Sequence, residues 1–380
     1  MSDSINLSPA ELARYSRHIA IPEFNLAAQK KLKAAKVLVV GSGGLGSPML
    51  LYLTAAGVGH IGIVDFDIVD DSNLQRQVLF TVDDIGKSKA KTAKERLLKL
   101  NPHVKFTVYN NAFTKENALE IIKDYDVVAD GTDNFPTRYL VNDACVLAGK
   151  INVYASIFQF EGQVSVFNFL NEDGTRGANY RDLFPEPPPP GMVPSCAEGG
   201  VLGVLPGIIG SMQASEVIKV ITGVGKPLAG RLFLFDAASF TTRVLKVRKN
   251  SNTQITELIN YEEFCGIGIE DENNKIKEVT VYDLKEWQEQ GVDFQLIDVR
   301  QPYEYDIANL GGELIPQAEL VQSLDKISKA KKVIVHCRSG KRSADAIRDL
   351  QNLGDFENLY NLKGGILEYS KEIDSSIPTY

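Results

Sequence analysis

Residues 37–46 read Val-Leu-Val-Val-Gly-Ser-Gly-Gly-Leu-Gly, an apolar run that continues directly into a glycine-rich segment. The apolar run predicts a buried strand, and the glycine spacing predicts a tight turn that opens a helix. Backbone amides in such a turn, together with the helix N-terminus, can hold phosphate oxygens. We therefore expect a nucleotide to bind at Gly41, Gly43, Gly44 and Gly46.

Strand-like apolar runs and helix-length amphipathic segments alternate around this turn. Strands are expected at 37–40, 61–65, 105–109, 125–130 and 151–154, and helices at 48–56, 87–100, 117–123 and 137–149. Alternation of this kind indicates a mostly parallel sheet covered by helices on both faces. The sequence therefore predicts an α/β, Rossmann-like domain.

A second α/β pattern follows the first. Later elements of the first domain are expected at 162–169, 208–222, 232–236 and 243–247, and those of the second pattern at 294–299, 333–336 and 343–353. The stretch 250–277 is polar and weakly periodic, which is typical of the approach to a linker. We therefore divide the chain into a domain at 1–250, a linker at 251–275 and a smaller α/β domain at 276–380.

Composition argues against a membrane protein and against a broad nucleic-acid-binding role. Residues 1–11 lack the apolar core of a signal peptide, and glycines and a proline interrupt the most apolar stretch, 199–212. The net charge of −8 gives no electrostatic support for binding nucleic acid. The four cysteines form no Cys-x-x-Cys pair and are expected to be free thiols. We therefore expect a cytoplasmic protein with neither a membrane nor a nucleic acid as partner.

An acidic residue, Asp65, ends the second predicted strand, about 20 residues beyond the glycine turn, where such a side chain can bind ribose hydroxyls. Taken alone, this pattern fits a nicotinamide-dependent dehydrogenase equally well. A glycine turn with a purely structural role is the third interpretation.

The charged residues beyond Asp65 distinguish these interpretations. Arg76 and Lys89 follow the second strand, and Asp133 follows the fourth. Hydride transfer does not need these charges, whereas nucleotidyl transfer uses cations to stabilise phosphate charge and a carboxylate to hold Mg²⁺. Each residue alone could be a solvated charge or a helix cap. Their common placement at strand ends around one glycine turn favours chemistry on ATP.

From residue 14 to about residue 247 the chain resembles the MoeB/ThiF family, bacterial relatives of the ubiquitin-activating enzymes. The motifs that carry the resemblance are Arg-Tyr-Ser-Arg at 14–17, Ser-Asn-Leu-Gln-Arg-Gln at 72–77, the lysine at 89 and Thr-Asp-Asn at 132–134. The resemblance implies adenylation of the C-terminal Gly-Gly carboxylate of a ubiquitin-like sulfur carrier, in a homodimer whose Arg17 reaches the partner subunit's site. The residues that it assigns to Mg-ATP are Gly44, Asp65, Asn73, Arg76, Lys89, Asp133 and Asn134.

A proline-rich loop, 171–196, ends in Cys196. A thiol on such a loop can swing toward an activated acyl group, and in the family a cysteine at this place forms a covalent link to the carrier. We therefore assign Cys196 a nucleophilic or resolving role, with a small buried side chain as the alternative. Burial is the preferred interpretation for Cys145, which lies in an apolar helical run.

Many family members bind structural zinc through two Cys-x-x-Cys pairs. In this sequence Asn-Tyr-Arg-Asp occupies 179–182 and Glu-Glu-Phe-Cys occupies 262–265. One thiol, that of Cys265, cannot build a tetrahedral thiolate site. We therefore expect no structural zinc.

The second domain contains a cysteine loop between a predicted strand and a helix. The loop reads Cys337-Arg338-Ser339-Gly340-Lys341-Arg342-Ser343. Loop amides, a helix N-terminus and nearby cations are the surroundings of a nucleophilic cysteine, although the loop of a cysteine phosphatase also runs from Cys to Arg. With Asp-Val-Arg at 298–300 and Gly-Gly-Ile at 364–366, residues 276–380 resemble the rhodanese family. That resemblance implies a persulfide on Cys337, while Asp298 and Arg300 are expected to form a structural charge pair.

Together the two resemblances imply an ATP- and Mg²⁺-dependent adenylyltransferase and sulfurtransferase that makes a carrier thiocarboxylate. The sulfur donor would be thiosulfate or a cysteine desulfurase, and the order of the Cys196 and Cys337 steps stays open. One alternative is an NAD-dependent dehydrogenase. Another is a modifier-conjugating protein whose rhodanese module only docks partners. The sequence does not distinguish among carriers for molybdopterin, thiamine, tRNA thiolation and cysteine synthesis.

Overall fold

The computed structural model describes residues 5–189, 199–266, 276–354 and 356–379. The chain forms two compact units, Met1–Gly268 and Ile269–Tyr380.

An eight-stranded sheet forms the centre of the first unit. Its strands are β1 (Lys36–Val40), β2 (His60–Val64), β3 (Lys105–Tyr109), β4 (Val127–Asp130), β5 (Ile151–Phe158), β6 (Glu161–Phe167), β7 (Arg231–Asp236) and β8 (Thr241–Lys246). They lie in the order β3-β2-β1-β4-β5-β6-β7-β8. The first five are parallel and the last three continue the sheet antiparallel. The strand order reverses between β1 and β4, which is where open α/β sheets bind ligands.

Helices cover both faces of this sheet. They are α1 (Pro9–Arg14), α2 (Ser16–Ile19), α3 (Asn25–Ala34), α4 (Gly46–Ala56), α5 (Lys89–Leu100), α6 (Ala118–Ile122), α7 (Phe135–Leu147), α8 (Tyr180–Leu183), α9 (Val204–Thr222) and α10 (Tyr261–Phe264). Residues of α3, α4, α5 and α9 share one apolar core with Val37 and Val39 of β1. Residues of α6, α7, α8 and α10 share a second core with Leu38 and Val40. Alternate residues of β1 therefore enter opposite cores, as expected for a sheet buried on both faces.

The elements predicted for the first unit are present, and the structure departs from the expectation in two segments. The stretch 171–196, expected to be a loop, contains the short helix α8 within its described part. The other departure is α9. Glycines and a proline were expected to interrupt this segment, yet it is one helix of 19 residues with Pro206 in its first turn, where proline is tolerated. A Cβ atom at Gly210 would lie 2.5 Å from the Leu45 carbonyl oxygen, so glycine lets α9 approach α4 closely. In the described part of the chain, α9 is the one helix that is long and apolar enough to cross a membrane. The buried core helix of a globular protein can have the same length and composition.

The boundary between the units lies later than the sequence-based division at residue 250. Tyr261 and Cys265, in and just after α10, are buried in the second core of the first unit. Residues 251–266 therefore belong to the first unit, and the remainder of the expected linker, 267–275, lies outside the described residues.

A five-stranded parallel sheet forms the second unit, in the order β11-β10-β12-β13-β9. Its elements are β9 (Lys277–Val279), α11 (Val281–Glu289), β10 (Phe294–Asp298), α12 (Pro302–Ile307), β11 (Glu313–Leu314), a 3₁₀ segment (Gln317–Lys326), β12 (Lys332–His336), α13 (Lys341–Leu353), β13 (Leu359–Leu362) and α14 (Gly365–Glu372). Residues of β12 again enter cores on both faces. The α/β fold class predicted from the sequence is confirmed for both units.

Candidate functional sites

The turn between β1 and α4 requires glycine at two positions for steric reasons. Gly41 has a φ of +89°, and a Cβ atom there would lie 2.9 Å from the Gly131 carbonyl oxygen. A Cβ atom at Gly46 would lie 2.0 Å from the Gly41 carbonyl oxygen, a distance that no side chain can adopt. These glycines therefore fold the turn and hold it against the loop that follows β4.

The other two glycines of the turn lie against side chains rather than against backbone. A Cβ atom at Gly43 would meet only the Gln77 side chain, at 3.5 Å, and one at Gly44 would meet Pro206 at 3.3 Å and Arg76 Cδ at 3.8 Å. The structure thus places the Arg76 side chain beside the glycine turn, and its role with phosphate stays a prediction. Gln77 is 4% exposed and also lies over the turn. Sequence reasoning assigned it no role, although it belongs to the quoted motif.

The carboxylate of Asp65 ties β2 to the glycine turn. Its Oδ2 accepts hydrogen bonds from the Ser42 backbone N–H at 2.8 Å and the Ser42 hydroxyl at 2.7 Å, and its Oδ1 accepts from the Asp67 N–H at 2.9 Å. A carboxylate offers about four acceptor positions, so one stays available to a ribose hydroxyl. Asp65 therefore shapes the turn and can still contact a ligand.

Lys89 lies at the first position of α5 and is 5% exposed. Its ammonium group pairs with Asp67 Oδ2 at 3.0 Å, and Asp67 follows β2 just beyond Asp65. Asn73 is half-buried at the end of the 3₁₀ segment Asp71–Asn73. Its side-chain oxygen accepts a hydrogen bond from the Asp70 N–H at 3.4 Å.

The loop that follows β4 places Asp133 and Asn134 at the start of α7. Asn134 is the N-cap, since its side chain accepts a hydrogen bond from the Thr137 N–H at 3.0 Å. Asp133 is exposed, and no described residue hydrogen-bonds its carboxylate. The helix cap of α7 is therefore Asn134 rather than Asp133.

Arg17 lies on α2 and is exposed. The ring of the neighbouring Tyr15 packs against Gly57, which is the C-cap of α4. A Cβ atom added to Gly57 would lie only 2.5 Å from this ring. The glycine turn lies at the other end of α4, a helix of 11 residues and thus about 16 Å long. The structure therefore does not place Arg17 near the glycine turn of its own chain.

The cysteines of the first unit differ in environment. Cys196 lies outside the described residues, whereas Cys145 is fully buried in α7 and burial raises its pKa well above the usual value. Burial also raises the pKa of Cys265 to about 11. Among the described residues, no cluster of three or more His, Cys, Asp or Glu side chains could hold a metal ion. The expectation of no structural zinc stays a prediction.

A buried polar network joins the two segments where zinc ligands were sought. Arg181 of α8 makes hydrogen bonds to both oxygens of Asp143 on α7, at 2.7 to 3.1 Å. The Tyr261 hydroxyl of α10 donates to Asp143 Oδ2 at 2.9 Å. The Arg181 guanidinium also lies 4.5 Å from the centroid of the Phe264 ring. Three helices are thus joined through one carboxylate, a feature that sequence reasoning missed.

The cysteine loop of the second unit surrounds the sulfur of Cys337 with donors. Cys337 is 1% exposed, and its Sγ lies 3.2 Å from the Gly340 backbone nitrogen and 3.4 Å from the Ser343 hydroxyl oxygen. The single proton of the Ser343 hydroxyl is directed to Asn361 Oδ1 on β13, at 2.6 Å, and its oxygen lies beside the sulfur. Gly340 has a φ of +91° and caps α13, and its backbone N–H points toward the sulfur. This cradle can stabilise negative charge on sulfur.

Three cations flank Cys337 in the sequence, and their environments differ. Arg342 forms a two-pronged ion pair with Glu304 of α12, Lys341 is exposed, and Arg338 is half-buried. Arg342 is therefore already neutralised, which the sequence did not reveal. Ser339 is exposed at the tip of the loop.

The expected structural charge pair below this loop is present. Arg300 Nε donates to Asp298 Oδ1 at 2.8 Å, and both side chains are completely buried. His336 Nε2 lies 3.7 Å from Asp298 Oδ2, and burial lowers the pKa of His336 to about 4. The neutral imidazole therefore packs beside an already paired carboxylate.

A Rossmann-like unit with a glycine turn between β1 and α4, joined to a unit with a cysteine loop before α13, is the architecture of a two-domain group-transfer enzyme. The chain belongs to the ThiF family, whose model matches residues 15–257, and a rhodanese-like domain matches residues 280–372. The protein named probable adenylyltransferase/sulfurtransferase MoeZ from Mycobacterium tuberculosis is 48% identical over 98% of this chain and 96% of its own length. The sulfur carrier protein adenylyltransferase of Thermus thermophilus is 53% identical over 68% of this chain and 97% of its own.

Solved structures agree on the fold of the first unit. A crystal structure of Escherichia coli MccB superposes with a TM-score of 0.57 at 23% identity, over 67% of this chain and 74% of that one. At this identity the likeness concerns the fold alone. The family assignment confirms the resemblance drawn from the motifs, and the comparisons give no support to a dehydrogenase.

Proposed function

We propose that this protein activates the C-terminal carboxylate of a Gly-Gly-terminated, ubiquitin-like sulfur carrier with ATP and then converts it into a thiocarboxylate. The relatives carry the names of these two activities, adenylyltransferase and sulfurtransferase. One observation carries the proposal. A single chain combines a glycine turn that has Arg76 beside it with a buried cysteine, Cys337, whose sulfur lies beside the Gly340 N–H and the Ser343 hydroxyl.

Adenylation is the first step. A carboxylate oxygen of the carrier attacks the α-phosphorus of ATP, the bond to pyrophosphate breaks, and an acyl-adenylate forms. The backbone at Gly43 and Gly44 accommodates phosphate oxygens. Arg76 and Lys89 stabilise the charge that develops on the leaving pyrophosphate, with Lys89 exchanging Asp67 for phosphate. Asn73 and Asn134 provide further polar contacts, and Asp65 binds the ribose.

The residues at the end of β4 fit a magnesium ion that accompanies ATP. Mg²⁺ prefers oxygen ligands and is commonly held by one or two carboxylates together with substrate phosphates. Asp133 offers an exposed carboxylate that no described residue engages. When bound, the ion would neutralise phosphate charge, and Asp133 would hold it at the glycine turn.

Sulfur transfer is the second step. The Cys337 thiolate attacks the outer sulfur of the donor, and a persulfide forms on Cys337 as the donor's bond to that sulfur breaks. Thiosulfate releases sulfite in this step, and the persulfide of a cysteine desulfurase releases a cysteine thiolate. The terminal sulfur attacks the acyl carbon, and the acyl–oxygen bond breaks to release AMP. The Cys196 thiolate then attacks Cys337 Sγ, which breaks the sulfur–sulfur bond to the acyl group. The thiocarboxylate leaves, and an external thiol reduces the resulting Cys196–Cys337 disulfide. In a second possible order, Cys196 first holds the acyl group as a thioester.

The site is completed by a second copy of the chain in this proposal. Arg17 lies on α2, which packs near the end of α4 that is remote from the glycine turn of the same chain. This separation supports a role for Arg17 in the partner subunit. Mixed dimers of the inactive variants Arg17→Ala and Asp133→Ala should regain partial activity, because one of their two sites keeps both residues. No recovery despite proven subunit exchange would refute the shared site. A relay of reduced thiols also fits a cytoplasmic location.

The decisive experiment combines the enzyme with Gly-Gly-terminated ubiquitin-like proteins of the same organism, ATP, Mg²⁺ and thiosulfate. Intact-mass spectrometry should show that one carrier oxygen is replaced by sulfur. Asp133→Ala should lose carrier-dependent exchange of labelled pyrophosphate into ATP. Cys337→Ala should keep that exchange and lose the thiocarboxylate. Full thiocarboxylate formation by Cys337→Ala would instead support a rhodanese module that only docks partners.

A further inference from the structure

The loop that carries Asp133 begins at a point fixed by hydrogen bonds from two directions. The Gly131 N–H donates to the Val40 carbonyl oxygen at 2.9 Å, next to the glycine turn. On the other side, the Gln213 side chain of α9 donates to the Asp130 carbonyl at 2.7 Å and to the Val153 carbonyl at 2.8 Å. The end of β4 is therefore held against β1, β5 and α9 together.

The next residue in the loop, Thr132, is held at both ends of its backbone. Its N–H donates to Asp130 Oδ1 at 3.0 Å, and its hydroxyl donates to the same oxygen. Its carbonyl oxygen accepts from Arg138 Nη2 at 3.1 Å. Thr132 is therefore held between two charged side chains, one from β4 and one from α7.

Both of these charged side chains are buried. Asp130 is completely buried and Arg138 is 7% exposed. The guanidinium of Arg138 lies 5.3 Å from the ring centroid of Tyr154 and 5.8 Å from that of Phe135. A buried guanidinium that loses an acceptor is left without water to replace it. The bond to the Thr132 carbonyl is therefore costly to break.

This bond acts on Asp133 through the geometry of the peptide group. The Thr132 carbonyl and the Asp133 N–H belong to one planar unit, so fixing the first orients the second. The Asp133 carboxylate makes no hydrogen bond to the described residues, which leaves the backbone to aim it. We propose that Arg138 is a positioning residue that orients Asp133 toward the metal–nucleotide complex. This inference rests on the proposed function.

The test measures metal binding rather than turnover. Mn²⁺ is titrated into the full-length protein in the presence of a non-hydrolysable ATP analogue, and free Mn²⁺ is read by electron paramagnetic resonance. Partners of metal ligands typically contribute a factor of about 10 to 100 in metal affinity, so Arg138→Met should weaken Mn²⁺ binding at least tenfold. Its affinity for the analogue without metal should change less than about twofold, and Arg138→Lys should recover part of the Mn²⁺ affinity.

Arg181→Met is the matched control. Arg181 is a partly buried arginine that also stacks on aromatic rings, but it pairs with Asp143 of α7 and does not contact Thr132. It should lower thermal stability and leave Mn²⁺ affinity unchanged. Thr132→Val provides a second variant if Arg138→Met does not fold, because it removes only the hydroxyl bond to Asp130. It should weaken Mn²⁺ binding severalfold.

The possible results separate the inference from the function on which it rests. If the wild-type protein binds no Mn²⁺ with the analogue, the proposed Mg-ATP site is wrong. If wild type binds and the folded Arg138 and Thr132 variants bind equally well, the positioning role is wrong. Equal loss of Mn²⁺ affinity in Arg181→Met would also overturn it, since general destabilisation would then explain the effect.

Discussion

Arg342 and Glu304 form a two-pronged ion pair beside the sulfur-transfer loop, with distances of 2.7 Å from Nη1 to Oε2 and from Nη2 to Oε1. Glu304 is 3% exposed, so the pair is only partly screened by water. The pair joins the first turn of α13 to α12 and withdraws one positive charge from anions that approach Cys337.

Glu304→Gln should therefore favour an anionic sulfur donor. Release of Arg342 from its carboxylate should lower the KM for thiosulfate about threefold to tenfold, an interaction of roughly 1 kcal/mol. The rate of thiocyanate formation from thiosulfate and cyanide measures this KM. Glu278→Gln, which removes an exposed carboxylate on β9, is the control and should have no effect. A KM that stays at the wild-type value in Glu304→Gln would show that Arg342 does not face the donor.

The fold and the glycine turn could be predicted because their signals are local. The strand, the glycines and the helix at residues 37–56 are contiguous, and the Asp298–Arg300 pair spans two residues. The Arg342–Glu304 pair joins residues 38 apart, and the Tyr261–Asp143 bond joins residues 118 apart. A single sequence gives no signal for such pairs because only the tertiary fold brings them together.

Gly43→Ala and Gly46→Ala should separate ligand binding from folding. A Cβ atom at Gly46 would lie 2.0 Å from a backbone oxygen, so Gly46→Ala should disrupt the turn and lower thermal stability. A Cβ atom at Gly43 meets one side chain at an ordinary contact distance, so Gly43→Ala should fold normally. It should nevertheless weaken ATP binding about tenfold or more, because the methyl group occupies the space for phosphate. Thermal melts measure the stability of the two variants, and calorimetric titration measures their affinity for ATP. Normal ATP binding by Gly43→Ala would place the phosphates elsewhere.

Removal of either partner of Asp143 should destabilise the first unit specifically. Arg181→Leu leaves a buried carboxylate without its cation and should cost about 3–5 kcal/mol, and Tyr261→Phe should cost about 1.5–3 kcal/mol. The exposed pair Glu120–Lys123 provides the control, since Lys123→Met should leave the stability of the first unit unchanged. Denaturant titrations followed by circular dichroism report the loss. The only tryptophan, Trp287, lies in the second unit, so its fluorescence transition should stay unchanged.

The stability of the second unit should fall in acid through His336. Burial lowers its pKa from 6.5 to about 4, so between these values the unfolded chain binds a proton that the folded chain does not. The stabilisation is complete above pH 6.5 and is lost as the pH falls toward 4, by up to roughly 3 kcal/mol. Titrations followed by Trp287 fluorescence should show this loss relative to His336→Asn. Parallel pH profiles for the two proteins would contradict it.

The persulfide should form on one cysteine and depend on the hydroxyl that faces it. After incubation with thiosulfate, peptide mass spectrometry should find an additional sulfur atom on Cys337 and none on Cys145, which is equally buried but has no loop amides around it. Ser343→Ala removes a hydroxyl 3.4 Å from Cys337 Sγ whose proton can turn from Asn361 to a thiolate, and it should slow persulfide formation about tenfold, since a bond to a charged group contributes about 1.5–3 kcal/mol. Ser339→Ala, at the exposed tip of the loop, should react at the wild-type rate. Equal rates for Ser343→Ala and wild type would show that the Ser343 hydroxyl does not stabilise the charge on sulfur. An additional sulfur on Cys145 would show that persulfide formation does not depend on the surroundings of Cys337.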